Sequence, residues 1–359
     1  MDKIREIQKK LQEKELDAVL ITDEKNQRYA SGFAFTDGAV VVTREHAYLI
    51  TDSRYVEAAE QAVTERTTVI LFGQNRRLVP CIQEILQNEK IEKLGAEEEK
   101  LSYQEYLRYE KALDLHLIPA QEIFQDLRAS KSEDELEYMR AAQKISERAL
   151  EDVLGLIRPG ITEREIAAEL NYRMMRYGAE GNSFDTISIT GKKTSMPHGV
   201  PGDEVVRDGD FVTMDFGCLK GGYCSDMTRT VAVGHVTEEM RKIYDIVLEA
   251  QLRGIENARA GITGAEIDKA ARDVIANAGY GAYFGHSFGH SLGLDIHEAP
   301  NAMPRSQTIM PEGAVISAEP GIYLPGRFGV RIEDVMILRK DHAEVITAAP
   351  KQLIVHPVL

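Results

Sequence analysis

Along the first 120 residues, short apolar runs alternate with stretches of mixed apolar and charged character. Residues 3–16 read as a charged amphipathic helix that leads into the apolar run Ala18-Val-Leu-Ile-Thr22. Strand-like segments follow at 39–43 and 47–50, then a helix over 54–63, a strand over 68–72 and a helix near 79–88. Strands of this length alternating with helices predict an α/β layered domain. The pattern breaks over 124–132, where Ser132 and Glu135 form a capping box that opens a long helix to about Leu156. The boundary is placed there, with 1–127 as an N-terminal domain and 128–359 as the second.

The second part carries a weak internal repeat. Gly160-Ile-Thr-Glu-Arg-Glu-Ile166 matches Gly261-Ile-Thr-Gly-Ala-Glu-Ile267 at an offset of 101 residues. Each copy follows a long amphipathic helix and opens a second one with a Thr-x-x-Glu capping box, Thr162/Glu165 and Thr263/Glu266. Each second helix ends near a glycine, Gly178 or Gly279, and strand-like sequence follows. The shared order favours duplication over chance, and two similar halves meeting at a pseudo-twofold axis form a natural cleft.

Composition narrows the function. The 359 residues suit two domains of roughly 150 residues each. With 43% hydrophobic and 28% charged residues, disorder and a disulfide-stapled miniprotein are both excluded. The net charge of −15 argues against a nucleic-acid partner and leaves carboxylates to spare for cations. No stretch approaches the roughly 18 apolar residues of a membrane helix, and the charged N-terminus lacks the apolar core of a signal peptide. No membrane association and a cytoplasmic location are expected. Cys81, Cys218 and Cys224 are odd in number and read as free thiols, although Cys218 and Cys224 flank a turn that a disulfide could bridge. The acidic run Glu97-Glu-Glu-Lys100 reads as solvated surface, and Tyr172, Met174, Met175 and Tyr177 read as core.

Three constellations carry chemistry. The β-patterned runs around Lys220-Gly221 contain Asp215 and Asp226. A two-residue turn at 220–221 pairs these aspartates directly, with Cβ atoms about 4.5–5.5 Å apart. Like charges so placed destabilise a sheet, and a bound cation removes the liability. Next, His286, His290 and His297 fall within twelve residues among glycines, which marks a crowded polar site with close backbone approach. It is not the His-Glu-x-x-His zinc helix, since no histidine follows His297-Glu298 at that spacing. Third, a hairpin around Pro325-Gly326 carries Glu319, Arg331 and Glu333; alone it reads as an ordinary salt-bridged hairpin. Together these give four carboxylates and an imidazole, a donor set for Mn, Co, Zn or Fe rather than copper. Two dications would balance four carboxylates and support a bridging hydroxide at neutral pH.

On these residues the chain resembles the Xaa-Pro peptidases, prolidase and aminopeptidase P, of the pita-bread metallopeptidases that also include methionine aminopeptidase and creatinase. The resemblance covers essentially the whole chain. It implies a creatinase-like α/β N-terminal domain followed by a pita-bread catalytic domain, a curved antiparallel sheet flanked by helices in two pseudo-symmetric halves. The family's Asp, Asp, His, Glu, Glu metal pattern falls on Asp215, Asp226, His290, Glu319 and Glu333, with the spacing of eleven between the aspartates retained. Two divalent ions per chain are implied, manganese foremost, with cobalt, zinc or iron as alternatives. By similarity His198, in Met196-Pro-His198-Gly199, and His297 would position substrate, move protons and stabilise the tetrahedral intermediate. His286 would line the pocket, Arg331 would contact substrate or support the ligands, and Glu319 would be both ligand and proton carrier. Tyr29-Ala-Ser-Gly-Phe33 and Thr51-Asp-Ser-Arg54-Tyr55 look like stretches of the creatinase-type N-terminal domain, which methionine aminopeptidases usually lack. A homodimer is also implied.

The resemblance thus implies hydrolysis of the bond before proline in small proline-containing peptides. That bond is a tertiary amide with no N–H. A prolidase acting on Xaa-Pro dipeptides is slightly favoured over an aminopeptidase P acting on Xaa-Pro-Yaa peptides. A non-catalytic peptide-binding module and a creatinase-type amidinohydrolase are the remaining readings, and the intact ligand pattern weighs against both.

Overall fold

The computed structural model describes residues 2–358, and the chain divides into two compact units between Arg128 and Ala129. In the first unit, α1 (Lys3–Glu13), β1 (Ala18–Ile21), α2 (Glu24–Ser31), β2 (Gly38–Thr43), β3 (Ala47–Thr51) and α3 (Val56–Ala62) come first. They are followed by β4 (Thr67–Leu71), α4 (Leu78–Asn88), β5 (Leu94–Ala96), α5 (Tyr103–Leu113), β6 (Leu117–Pro119) and α6 (Gln121–Ala129). The strands form one mixed sheet in the order β4-β3-β2-β1-β5-β6. β1 is buried along its whole length, which explains its continuous apolar run where a half-exposed strand would alternate. Asp23 caps α2 by accepting from the Asn26 amide, and Gly32, at φ +73°, ends the helix in the left-handed conformation.

Glu97, expected on the surface, is fully buried. Its carboxylate accepts from the Thr22 and Asp23 amides and from Asn26 Nδ2, at 2.6, 2.9 and 2.6 Å. Asn26 Oδ1 in turn accepts from Arg128. The acidic run misled because its first residue turns inward to take up the orphan amides at the end of β1.

The second unit opens with α7 (Glu133–Leu154) and α8 (Glu163–Arg176), followed by β7 (Ile187–Thr190), β8 (Phe211–Phe216), β9 (Leu219–Lys220), β10 (Tyr223–Cys224) and β11 (Met227–Val233). A second helix pair follows, α9 (Glu238–Asn257) and α10 (Gly264–Asn277), then β12 (Gly289–Ser291), β13 (Glu298–Ala302), β14 (Val315–Ala318) and β15 (Gly321–Leu324). The chain ends with β16 (Phe328–Arg331), β17 (Asp334–Leu338), β18 (Ala343–Val345) and β19 (Val355–His356). The main sheets run β19-β11-β8-β7 and β13-β12-β14-β17-β18, with β15 and β16 as a separate hairpin.

The two helix pairs are wired alike. Thr162 and Thr263 each complete a capping box, and Gly178 and Gly279 follow their helices at φ +98° and +88°. The Gly160 amide donates to Val206 O and Gly261 to Met310 O. Likewise Glu163 donates to Glu204 O and Gly264 to Thr308 O, while Arg164 donates to Gly202 O and Ala265 to Ser306 O. Of the four side chains read as core on α8 and its end, only Met174 is buried; Tyr172 and Met175 are 57% and 51% exposed, and Tyr177 is half-buried against Asp152. Helical spacing there marks more than one face.

The register of the aspartate hairpin differs from the expected one. The turn is Gly221-Gly222, at φ +58° and +80°, with Lys220 opposite Tyr223 and Asp215 opposite Thr228. Asp226 is therefore a diagonal neighbour of Asp215, not its direct partner. The reason lies in the turn: positive φ at both central residues suits Gly-Gly and disfavours Lys-Gly. Glu180 secures the turn by accepting from both glycine amides. Moving the turn by one position shifts the pairing by two residues, which leaves Asp226 on the same face. All three cysteines are buried, and no disulfide joins Cys218 to Cys224.

Candidate metal centre

Asp215, Asp226, His290, Glu319 and Glu333, together with His198, His286, His297 and Arg331, line one cleft of about 440 Å³ in the second unit. Asp215 comes from β8, and Asp226 from the residue before β11. His290 sits in β12, Glu319 follows β14, and Glu333 lies between β16 and β17. Two sheets and a hairpin therefore deliver one donor each or two, which no local sequence window reveals.

Asp226, His290 and Glu333 each place a ligand atom within 4.8 Å of the other two. His290 Nε2 is 3.5 Å from Asp226 Oδ2 and 3.4 Å from Glu319 Oε1. Its Nδ1 faces Ser291 O at 3.2 Å, and a carbonyl only accepts, so the proton is assigned to Nδ1 and the Nε2 lone pair points into the cluster. That is the tautomer a metal ligand needs. Buried oxygens Asp215 Oδ1 and Asp226 Oδ1 have no hydrogen-bond partner among the described residues. Buried acceptors without donors are costly, and a cation satisfies them.

The electrostatics agree. Five carboxylates line the cleft, Asp185 besides the four named above, and among the described residues Arg331 is the one Lys or Arg in its lining. Burial pushes Asp226 up, aided by the charges of Asp215 and Glu319. Burial likewise raises Glu333, with Asp226 and Glu319 adding to it. Glu319 is pushed up to about 7, chiefly by burial, with Arg331 opposing. Burial lowers His290, and lowers His297 with help from His290, whose ring is 4.4 Å away. The donor set and the unmatched negative charge fit hard or borderline divalent ions.

Around these five residues runs a hydrogen-bond frame. Arg331 donates to Asp215 Oδ2 at 2.6 Å, to Tyr323 Oη at 2.9 Å, to Thr228 Oγ1 at 3.1 Å and to Pro197 O at 3.3 Å. Thr228 passes the chain on by donating to Glu333 Oε2 at 2.6 Å. His286 Nδ1 faces Ser287 O, so Nε2 accepts from the Tyr323 hydroxyl at 2.9 Å. Burial and the Arg331 charge push His286 down to about 4. Both of its nitrogens are thus engaged by the protein. Tyr323, Thr228 and Ser317, whose hydroxyl donates to Glu319 Oε1 at 3.1 Å and accepts from the His290 amide, are the members sequence reasoning passed over. A signal for Tyr323 existed: it lies opposite Gly329, and Gly321 lies opposite Arg331, so glycines face the two bulky polar residues across one hairpin. A Cβ on Gly321 would stand 2.5 Å from the Tyr323 hydroxyl.

A buried ion pair fixes the loop of His297. Lys131 Nζ lies 3.0 Å from Glu298 Oε2, with side chains 1% and 6% exposed. Glu298 Oε1 also accepts from the Asp295 amide.

Residues 137–340 match metallopeptidase family M24, and residues 3–130 match the creatinase/prolidase N-terminal domain. The chain belongs to metallopeptidase family M24, is an enzyme of that class, and as such uses a divalent metal. A solved structure of an Xaa-Pro dipeptidase from Bacillus anthracis is 41% identical with a TM-score of 0.95, covering 99% of both chains. An X-Pro aminopeptidase from Thermotoga maritima MSB8 is 37% identical with a TM-score of 0.90, covering 95% of this chain and 98% of that one. The Xaa-Pro dipeptidase of Pyrococcus horikoshii is 36% identical over 361 residues, 98% of this chain and 99% of its own. The fold is accordingly a creatinase-type N-terminal domain followed by a pita-bread domain. No helix among the described residues is long and apolar enough to cross a membrane.

Proposed function

We propose that this chain is an Xaa-Pro dipeptidase that holds two divalent ions, manganese foremost, with Asp215, Asp226, His290, Glu319 and Glu333. The observation that carries the reading is the convergence of four carboxylates and a correctly oriented imidazole in one cleft, with two buried acceptor oxygens left unpartnered. Bound there, divalent ions supply Lewis-acid polarisation of the scissile carbonyl and activation of water at neutral pH.

The chain's own residues do the rest. Phe184, Ile187, Pro197 and Ile296 give the cleft an apolar wall suited to a pyrrolidine ring. The ring's own nitrogen, which forms the scissile amide, carries no hydrogen, so the site needs no acceptor for it. Glu319 takes a proton from the attacking water and returns it to the prolyl nitrogen as the bond breaks. His198 and His297 face the reacting carbonyl and stabilise charge on its oxygen. Of the two roles open to Arg331, support is favoured: its Nε and both terminal nitrogens already donate to the protein, which orients Asp215 and Tyr323. His286 acts in the same frame through Tyr323.

The aminopeptidase reading has the Thermotoga maritima neighbour in its favour. Chelator-stripped protein offered an Xaa-Pro dipeptide and an Xaa-Pro-Yaa tripeptide, with and without Mn²⁺ or Co²⁺, separates the two. Metal-dependent release of proline from the dipeptide alone is expected; cleavage of the tripeptide makes the chain an aminopeptidase. Indifference to chelation would return the non-catalytic and creatinase-type readings. Three reduced, buried thiols support a cytoplasmic enzyme. We further propose a homodimer, on the family resemblance, to be read by sedimentation equilibrium.

A further inference from the structure

His198 sits on an exposed loop that leaves β7 at Thr190, makes a short 3-10 turn over Gly191–Ser195, and returns near Gly202. The side chains on either side of it, Met196 and Val200, are 58% and 76% exposed and do little to fix it, although Thr194 and Gly199 in the same loop are buried. Its two ends are nevertheless held by a single carboxylate. Glu163, the first residue of α8, has a side chain with no exposed surface. Glu163 Oε1 accepts from the Thr190 amide at 2.8 Å, and Oε2 accepts from the Gly202 amide at 2.8 Å. Lys193, inside the loop, donates to the same Oε2 at 2.7 Å. Beyond the clamp, the Gly329 amide donates to Thr194 Oγ1 at 2.9 Å, and Pro197 O accepts from Arg331. The loop is thereby referenced to the hairpin that leads to Glu333.

The internal repeat sharpens the point. The equivalent of Glu163 in the second half is Gly264, where a Cβ would stand 2.1 Å from Asn301 O. The second half packs backbone directly against its helix start, and the first half inserts a buried carboxylate there. The difference falls beside the loop that carries His198 into the cleft lining.

We propose that Glu163, with Lys193, is a positioning residue that sets where His198 stands over the metal cluster. The inference rests on the role given to His198 above. A carboxylate is required: it alone accepts at both oxygens while balancing the ammonium, whereas an amide presents a donor on one side. Displacing a catalytic group by about 1 Å costs on the order of 100-fold in rate.

The test is a double-mutant cycle on the full-length, metal-loaded protein hydrolysing an Xaa-Pro dipeptide: wild type, Glu163→Gln, His198→Ala and the double variant. Glu163→Gln is expected to lower kcat by about 10- to 100-fold with a smaller change in KM. In the His198→Ala background the same change should add no more than about twofold, because the group it positions is gone. Metal stoichiometry should be unchanged throughout. Losses that multiply in the double variant would overturn the inference, as would wild-type kcat in Glu163→Gln. Wild-type kinetics in His198→Ala would instead remove the role of His198 itself, so the two failures are distinguishable. If Glu163→Gln does not fold, Lys193→Met opens the same clamp while both backbone donors stay, and the same non-additivity with His198→Ala is expected of it.

Discussion

Replacing Lys131 by methionine isolates the energetics of the buried pair behind His297. Methionine keeps most of the apolar stem, so little cavity is created, but Glu298 loses the ammonium 3.0 Å from its Oε2. Both side chains are almost wholly buried, so water screens the pair little. Removing one partner of such a pair costs about 3–5 kcal/mol, because a charge is left behind in low dielectric. In the double variant Lys131→Met/Glu298→Gln the charge is gone too. The glutamine oxygen still accepts from the Asp295 amide, and one amide N–H facing the methionine remains, worth about 1–3 kcal/mol. The double variant should therefore be more stable than Lys131→Met. At roughly 2–4 °C per kcal/mol for a unit of this size, the single variant loses about 6–20 °C in Tm. The chain has no tryptophan, so calorimetry or near-ultraviolet tyrosine dichroism reports the transition. A Tm for Lys131→Met indistinguishable from wild type, or a double variant less stable than the single, would falsify the argument.

Three further outcomes are expected. Glu319→Gln should lose about 10²- to 10⁴-fold in kcat while its circular dichroism stays native, as expected when a positioned proton carrier is removed; near-normal turnover would void its role. Chelation should lower Tm, and Mn²⁺ or Co²⁺ at about 100 times Kd should restore about 3 kcal/mol per site, measured by calorimetry with and without metal; a Tm blind to chelator contradicts a cation in the cleft. In the first unit, burial raises Glu97 above its ordinary value. A raised native pKa gives stability that is full below the unfolded value near 4.5 and is lost as pH rises through the native one. Glu97→Gln should thus flatten the decline in urea stability above pH 4.5, and an unchanged slope counts against the assignment.

Much of this was legible from periodicity and motif alone. β1, β2 and α4 fall within a residue or two of their expected bounds because apolar runs and amphipathic spacing report burial directly. The repeat was readable because capping boxes and helix-ending glycines are local chemistry. What resisted reading was whatever depends on a partner distant in sequence. Glu97 looks like surface until the amides at the end of β1 arrive. The hairpin register turned on which of two adjacent dipeptides took the turn, and the side of the sheet survived the error only because the shift was even. Tyr323 was visible as a residue but not as a partner of Arg331 and His286, since that required the pairing of β15 with β16.

The same distinction explains how a duplicated frame supports an asymmetric site. Matching backbone bonds at Gly160 and Gly261, and at Glu163 and Gly264, fix the two helix pairs in equivalent settings. The side chains then break the symmetry. One half holds its histidine loop through a buried carboxylate at the helix start. The other holds the loop of His297 through Lys131, which lies ahead of the first repeat and reaches Glu298 across 167 residues of sequence. Each loop is tied by one buried acid and one lysine, yet neither pair is the repeat of the other. An inherited device would have occupied equivalent positions. On the positioning role proposed for Glu163, the two loops beside the carboxylate cluster are tied by separate acid–lysine pairs, Glu163 with the partly exposed Lys193 and Glu298 with the buried Lys131.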